Sequence, residues 1–166
     1  SQLNSYYDAI LFLSVLSGRN PHYLIGEQVI SAPIIKGLGL ETISTGYLLL
    51  DGGAHSTVEF MSGSKPIPMN RPDITVAHAL AAEYMGMKFV YLEAGSGAKQ
   101  SVSDEIIIRC EENLNIHLIV GGGIKSPQEA ASKIEAGASM VVTGSVLETI
   151  QNNSLIKEFA DAIHKN

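Results

Sequence analysis

The sequence predicts an α/β protein whose parallel sheet is wrapped by helices, and three observations carry that reading. Residues 9–16, 88–92, 116–120 and 139–143 are apolar almost throughout, without the alternation of a half-exposed strand. Helix-patterned segments separate these runs, as in successive βαβ units. The last three strands each run straight into a glycine turn. The 166 residues, 45% of them hydrophobic, are enough for the core of one domain.

Taken in order, residues 9–16 (AILFLSVL) form the first strand, followed by the turn Ser17-Gly18-Arg19-Asn20-Pro21. A helix starts at Pro21 as a first-turn proline, and Ser31 with Pro33 restarts it after a kink. Residues 40–50 are extended. Asp51-Gly52 is a hairpin signal that would fold residues 57–61 back as another strand. Residues 62–72 form a loop rich in Pro and Lys. Residues 73–85 carry a helical period through Ile74, Ala77, Leu80, Ala81 and Tyr84, ended by Gly86. A short helix over 103–113 has Ser103 as its cap. Ser126-Pro127-Gln128-Glu129 combines a capping box with proline at the first helical position. The closing helix, 154–165, turns Leu155, Ile156, Phe159, Ala162 and Ile163 inward. Tyr6 and Tyr7 read as packing residues ahead of the first strand.

A formal charge of −6 excludes a nucleic-acid surface and a general attraction to acidic membranes. It leaves room for an anionic ligand held by backbone N–H groups. Cys110 is the only cysteine, so no disulfide forms within the chain, and it reads as a small apolar filler. With no signal peptide and no apolar run of bilayer length, the expectation is a soluble cytoplasmic protein. The histidines at 22, 55, 78, 117 and 164 lack metal-ligand spacing and read as structural or surface groups, His117 within a buried strand.

The three turns are Glu93-Ala94-Gly95-Ser96-Gly97-Ala98, Gly121-Gly122-Gly123-Ile124 and Thr143-Gly144-Ser145-Val146. In a parallel α/β protein all three lie at the carboxyl ends of the strands, where barrels hold phosphate. One such glycine is an ordinary tight turn. Three in succession point to a phosphate site made by Gly122, Gly123, Gly144 and Ser145, whose bare backbone lets N–H groups approach an anion. Glu93 could simply cap its turn. A carboxylate beside a phosphate is repelled by it, however, and that cost makes sense for a general base, with Tyr91 on the same strand face orienting the ligand. Five strand units fit either an open sheet or the later part of a (β/α)₈ barrel, and the pattern leaves both standing.

The segments YLEAGSGA, LIVGGGIKSPQEA and GASMVVTGS resemble the geranylgeranylglyceryl phosphate synthases and the related heptaprenylglyceryl phosphate synthases. The upstream segments DAILFLSVLSGRNPHYLIGEQV, GLETISTGYLLLDGG and VAHALAAEYMGMKFVYLEAGSGA resemble the second, larger group of the former, so the likeness spans nearly the whole chain. It implies a (β/α)₈ TIM barrel of which residues 1–166 are a single domain holding about strands 4–8, with strands 1–3 missing. It also implies a Mg²⁺-dependent prenyltransferase of ether lipid synthesis, which joins the 3-hydroxyl of sn-glycerol 1-phosphate to a polyprenyl diphosphate, C20 favoured. Carried over, Glu93 is the base. Tyr91, Leu92, Glu93, Ala94, Gly95, Ser96 and Gly97 line the glycerol phosphate, and Gly122, Gly123, Gly144 and Ser145 hold its phosphate. Arg19 and Tyr47 would meet the prenyl diphosphate, whose trench would take in the first strand and residues 66–76, with Phe12, Tyr47 or Tyr84 as its stopper. The metal ligands find no matching positions and stay unassigned. The resemblance further implies a homo-oligomer. Another phosphate-binding barrel enzyme, acting on a sugar phosphate, or an inactive phosphate-binding fragment would also show the glycine turns.

Overall fold

The computed structural model describes residues 3–148 and 153–164. Five strands, β1 (Ala9–Val15), β2 (Glu41–Leu49), β3 (Phe89–Glu93), β4 (His117–Gly121) and β5 (Met140–Val142), form one sheet in the order β1-β2-β3-β4-β5. Every neighbouring pair is parallel. The helices between them are α1 (Glu27–Leu38), α2 (Thr57–Ser62), α3 (Pro72–Tyr84), α4 (Asp104–Glu111) and α5 (Pro127–Glu135). After β5 come the short α6 (Ser145–Glu148) and α7 (Asn153–Ile163); Lys165, placed by the sequence at the end of the last helix, lies outside the described residues.

Alternation along each strand divides the apolar residues into two layers. Leu48, Leu50, Val90, Leu92, Leu118 and Val120 face the helices, where they meet Ala79, Ala82, Ile106, Ile107, Cys110, Ala130 and Phe159. Tyr47, Leu49, Tyr91 and Ile119 face the other way, packed with Leu11, Leu13, Val15 and Phe89. Both faces are covered wherever the middle strands run, which explains why their sequences do not alternate. Cys110 is fully buried in the helix-side layer, and burial pushes its thiol up to about 12, as an inert filler requires.

Several expectations are corrected. The Asp51-Gly52 signal makes no hairpin. Residues 57–62 are helix α2, because Ser56 Oγ accepts the Glu59 N–H at 3.1 Å and caps it, while the Glu59 carboxylate lies 3.3 Å from His55 Nδ1. Gly52 is glycine for another reason, since a Cβ there would lie 2.6 Å from the Cβ of Ala98. Nor does the first helix restart at Ser31. A π-helical turn, His22–Gly26, passes directly into α1, which runs through Pro33. The trench loop assigned to residues 66–76 ends early, because α3 begins at Pro72. The inward face of α3 is Thr75, Ala79 and Ala82, while Tyr84 is 80% exposed. Small residues win that face because the sheet comes so close. A Cβ on Gly46 of β2 would lie 2.8 Å from both Ala82 Cβ and Leu16 Cδ1.

Ile156 of α7 points outward, with Phe159 as the buried anchor of that helix. His117 opens β4 exposed, its ring 5.1 Å from that of Phe89. Tyr6 and Tyr7 are exposed, at 93% and 51%, rather than part of the core. The caps Ser103 and Ser126 stand where the sequence placed them, each accepting the N–H three residues on.

The contact between Gly46 and Ala82 yields a stability prediction. Gly46→Val should cost about 1–3 kcal/mol through overpacking, read as a lower denaturant midpoint at unchanged slope. An unchanged midpoint would mean that α3 can move away from β2.

Candidate active site

The site forms where β3, β4 and β5 end. Tyr91 and Glu93, two residues apart on β3, both project from the inner face, and each is only 9% exposed. Gly95 N–H donates to Glu93 Oε1 at 2.8 Å, and the Tyr91 hydroxyl donates to the same carboxylate. Opposite them on β4 stands Gly121. A Cβ there would lie 2.5 Å from Tyr91 Oη and 2.7 Å from Glu93 Oε2, so only glycine lets this pair lie against the neighbouring strand.

Burial raises the Glu93 pKa above the usual carboxylate value, and the bonds from Tyr91 and Gly95 only partly offset it. Tyr91 and Tyr47 are pushed up as well, first by burial and then by the Glu93 charge, so both stay neutral donors. Their rings pack edge to face at 5.3 Å across the β2–β3 pair.

Beside Glu93 opens a cavity of about 400 Å³. Glu93, Ser96 and Gly97 line it from the first turn, Gly122 and Gly123 from the second, and Gly144 and Ser145 from the third. Gly122 and Gly123 have φ of 80° and 72°, the left-handed conformation that turns successive backbone groups toward one side. Gly144 would admit a Cβ with nothing within 4 Å, so packing does not demand glycine there; its bareness leaves the cleft open. Thr143 Oγ1 donates to the Ile124 carbonyl at 3.1 Å and ties the β4 and β5 turns together. Lys99 and Lys125 add positive charge to the lining, against Glu93 and Glu148.

The cleft thus brings together seven of the residues named from sequence. Leu92 and Ala94 do not contribute side chains to it. Both are buried in the helix-side layer, and the Ala94 N–H is spent on the Gly121 carbonyl at 3.0 Å. The Gly95 N–H likewise serves Glu93 rather than the cleft. Tyr91 sits behind the carboxylate. Arg19 and Tyr47 belong elsewhere, on the β1–β2 side. The Arg19 guanidinium donates to the Gly18 carbonyl at 2.8 Å and lies 3.4 Å from His78 Nε2. Of the proposed stoppers, Phe12 alternates with the inner residues Leu11 and Leu13 and Tyr84 is exposed, which leaves Tyr47 alone on the inner face.

Sequence reasoning missed Gly121, Thr143, Lys99 and Lys125. Gly121 and Lys125 were legible as the first glycine and the trailing lysine of GGGIK; Lys99 depends on how the first loop folds back. Among the described residues no three His, Cys, Asp or Glu side chains come together as a metal centre would need. No helix of the described residues is long and apolar enough to cross a membrane.

A parallel sheet with glycine turns converging on an open cleft beside a buried carboxylate is the arrangement of the carboxyl-terminal face of an α/β barrel. The chain belongs to the PcrB family, whose model matches residues 1–163. It is 48% identical over 164 residues to a geranylgeranylglyceryl phosphate synthase of Chitinophaga pinensis, covering 99% of this chain and 64% of that protein. It is 46% identical to one from Methanosphaera stadtmanae, covering 99% and 67%. Among solved structures it resembles (S)-3-O-geranylgeranylglyceryl phosphate synthase from Thermoplasma acidophilum in complex with its substrate sn-glycerol-1-phosphate. The TM-score is 0.91 at 34% identity, over 97% of this chain and 65% of that one. The chain therefore spans about two thirds of the length of the relatives it matches, and its five strands form part of a TIM barrel.

The raised Glu93 pKa sets a pH dependence. The folded protein prefers Glu93 protonated, so this group's contribution is fully present below the unfolded value, about 4.3, and is lost as pH rises through the raised folded value. Glu93→Gln should therefore unfold like the parent near that low pH and at higher temperature than the parent near neutrality. Parallel melting curves across the range, with no divergence, would contradict the buried, raised carboxylate.

Proposed function

We propose that the protein is a prenyltransferase that alkylates the 3-hydroxyl of sn-glycerol 1-phosphate with geranylgeranyl diphosphate, giving geranylgeranylglyceryl phosphate and diphosphate for ether lipids. The observation that carries this reading is the placement of the buried Glu93 carboxylate on the wall of a glycine-lined cleft. The relatives named above, and the glycerol phosphate bound by the Thermoplasma acidophilum enzyme, supply the substrate.

In this mechanism the N–H groups around Gly122, Gly123, Gly144 and Ser145 hold the phosphate, with Lys99 and Lys125 adding charge. Ser96 and Gly97 border the glycerol. The fixed phosphate leaves the 3-hydroxyl only a small range of positions, an orientation effect worth several kcal/mol in well-aligned reactions. Glu93 accepts the hydroxyl proton as the oxygen forms its bond to the first prenyl carbon. The bond from that carbon to the diphosphate oxygen breaks, and diphosphate leaves with the electron pair. Tyr91 and the Gly95 N–H hold the carboxylate in place, and the Tyr91 bond keeps part of its basicity in check. Burial pushes the other way and makes Glu93 a better base than an exposed glutamate.

The apolar inner residues Leu11, Leu13, Val15 and Leu49, with Tyr47 beyond them, give the prenyl chain a greasy wall next to the site. Arg19, at the carboxyl end of β1, suits the diphosphate. Mg²⁺ enters this reading through the family resemblance. The described residues offer no fitting group of ligands, so none is assigned to it. The reading includes a cytoplasmic location, consistent with a lone buried cysteine, and self-association, consistent with the exposed Val29, Ile30 and Ile34 on α1.

The direct test is product formation from labelled sn-glycerol 1-phosphate, geranylgeranyl diphosphate and Mg²⁺. The parent should form the ether, and Glu93→Gln should lose about a hundredfold or more, the scale of general base catalysis. No product at any prenyl length would remove the prenyl-transfer reading and leave a phosphate-binding barrel. Light scattering should report a mass above that of one chain; a monomer would count against self-association.

A further inference from the structure

We propose that Glu129 is a positioning residue for the anion cleft, its carboxylate joining the two glycine loops that form the floor. In a capping box the glutamate at the third helical position reaches back to the N–H of the capping residue itself. Here the cap, Ser126 Oγ, accepts the Glu129 N–H at 3.2 Å as usual, but the carboxylate goes elsewhere. Glu129 Oε2 accepts the N–H of Lys125 at 2.9 Å, one residue earlier, where the glycine turn ends. Glu129 Oε1 accepts the hydroxyl of Ser101 at 2.5 Å, from the loop after β3.

The same two loops meet at a second bond, from Lys125 Nζ to the Lys99 carbonyl at 3.1 Å. They also touch backbone to backbone, since a Cβ on Gly123 would lie 2.8 Å from Gln100 O and 2.9 Å from Ser101 N. The direction in which Gly122 and Gly123 present their N–H groups is therefore set by a carboxylate that itself stays outside the cleft. The inference rests on reading that cleft as the phosphate site.

Calorimetric titration with inorganic phosphate tests it without the prenyl reaction. Glu129→Ala should weaken phosphate binding about tenfold, the effect of losing hydrogen bonds to a charged group. Glu129→Gln should restore most of it, because its amide oxygen can still accept from Lys125 and its amide N–H can donate to Ser101 Oγ. Asp104→Asn is the control. It disturbs the Ser132 and Lys133 bonds between α4 and α5 at 2.6 Å and 2.7 Å, away from the cleft, and should bind as the parent does. In the ether-forming assay Glu129→Ala should raise KM for the glycerol phosphate with kcat nearly unchanged. Parental affinity in Glu129→Ala would overturn the proposal, as would equal weakening in Asp104→Asn. A parent that binds no phosphate overturns both this inference and the anion cleft. A parent that binds phosphate yet forms no ether removes only the prenyl transfer, and the phosphate titrations still decide on Glu129.

Discussion

Everything at the working end depends on how closely β3 and β4 approach where they leave the sheet. Glu93 and Tyr91 fold against Gly121 at distances no side chain could share, and the loop after β4 touches the loop after β3 backbone to backbone at Gly123. Glycine is therefore required twice over, once for the approach and once for the left-handed turn at Gly122 and Gly123. A methyl group at any of the three would push the carboxylate away from the cleft or separate its walls. The parallel sheet makes this possible, because it delivers three successive strand ends to one side.

That geometry carries an internal cost. Glu93 is nearly as buried as the aromatic residues around it, and two donors do not fully offset its desolvation. A protein shaped by stability alone would place a neutral group there. The side chain is held in a state that is uncomfortable for the fold, and under the proposed reaction the same burial serves proton abstraction, a trade common at active sites. Tyr47 extends the arrangement sideways, its ring meeting that of Tyr91 edge to face and linking the apolar inner face to the carboxylate.

How much of this was legible in the sequence follows from the range of the signals. The five strands, the caps Ser103 and Ser126 and the pairing of Tyr91 with Glu93 rest on neighbours within a few residues, and all of them hold in the structure. The glycine turns could be placed on one side because parallel topology puts them there. The failures are of longer range. Asp51-Gly52 reads locally as a hairpin, yet Gly52 is there to let the 94–98 loop pass, which only the packed structure shows. The inward face of α3 was misread because its fully buried positions are the small Thr75, Ala79 and Ala82, while Ile74 is only partly buried and Tyr84 is exposed. Leu92 was assigned to the substrate along with its neighbours, although strand alternation already sends it to the opposite layer.

The strand order in space repeats the order in the chain, β1 to β5, and among the described residues no strand is inserted between two earlier ones. Folding can therefore proceed by accretion. Each strand after β1 pairs with the one just before it in the chain, so such growth would need no segment threaded past another. Lengthening a connection adds little under such growth, since each doubling of a loop costs only about 0.6 kcal/mol. The long passage from β2 to β3, with α2 and the Leu50–Ile67 bridge inside it, is thus the place where this architecture can acquire new surface without disturbing the order in which it assembles.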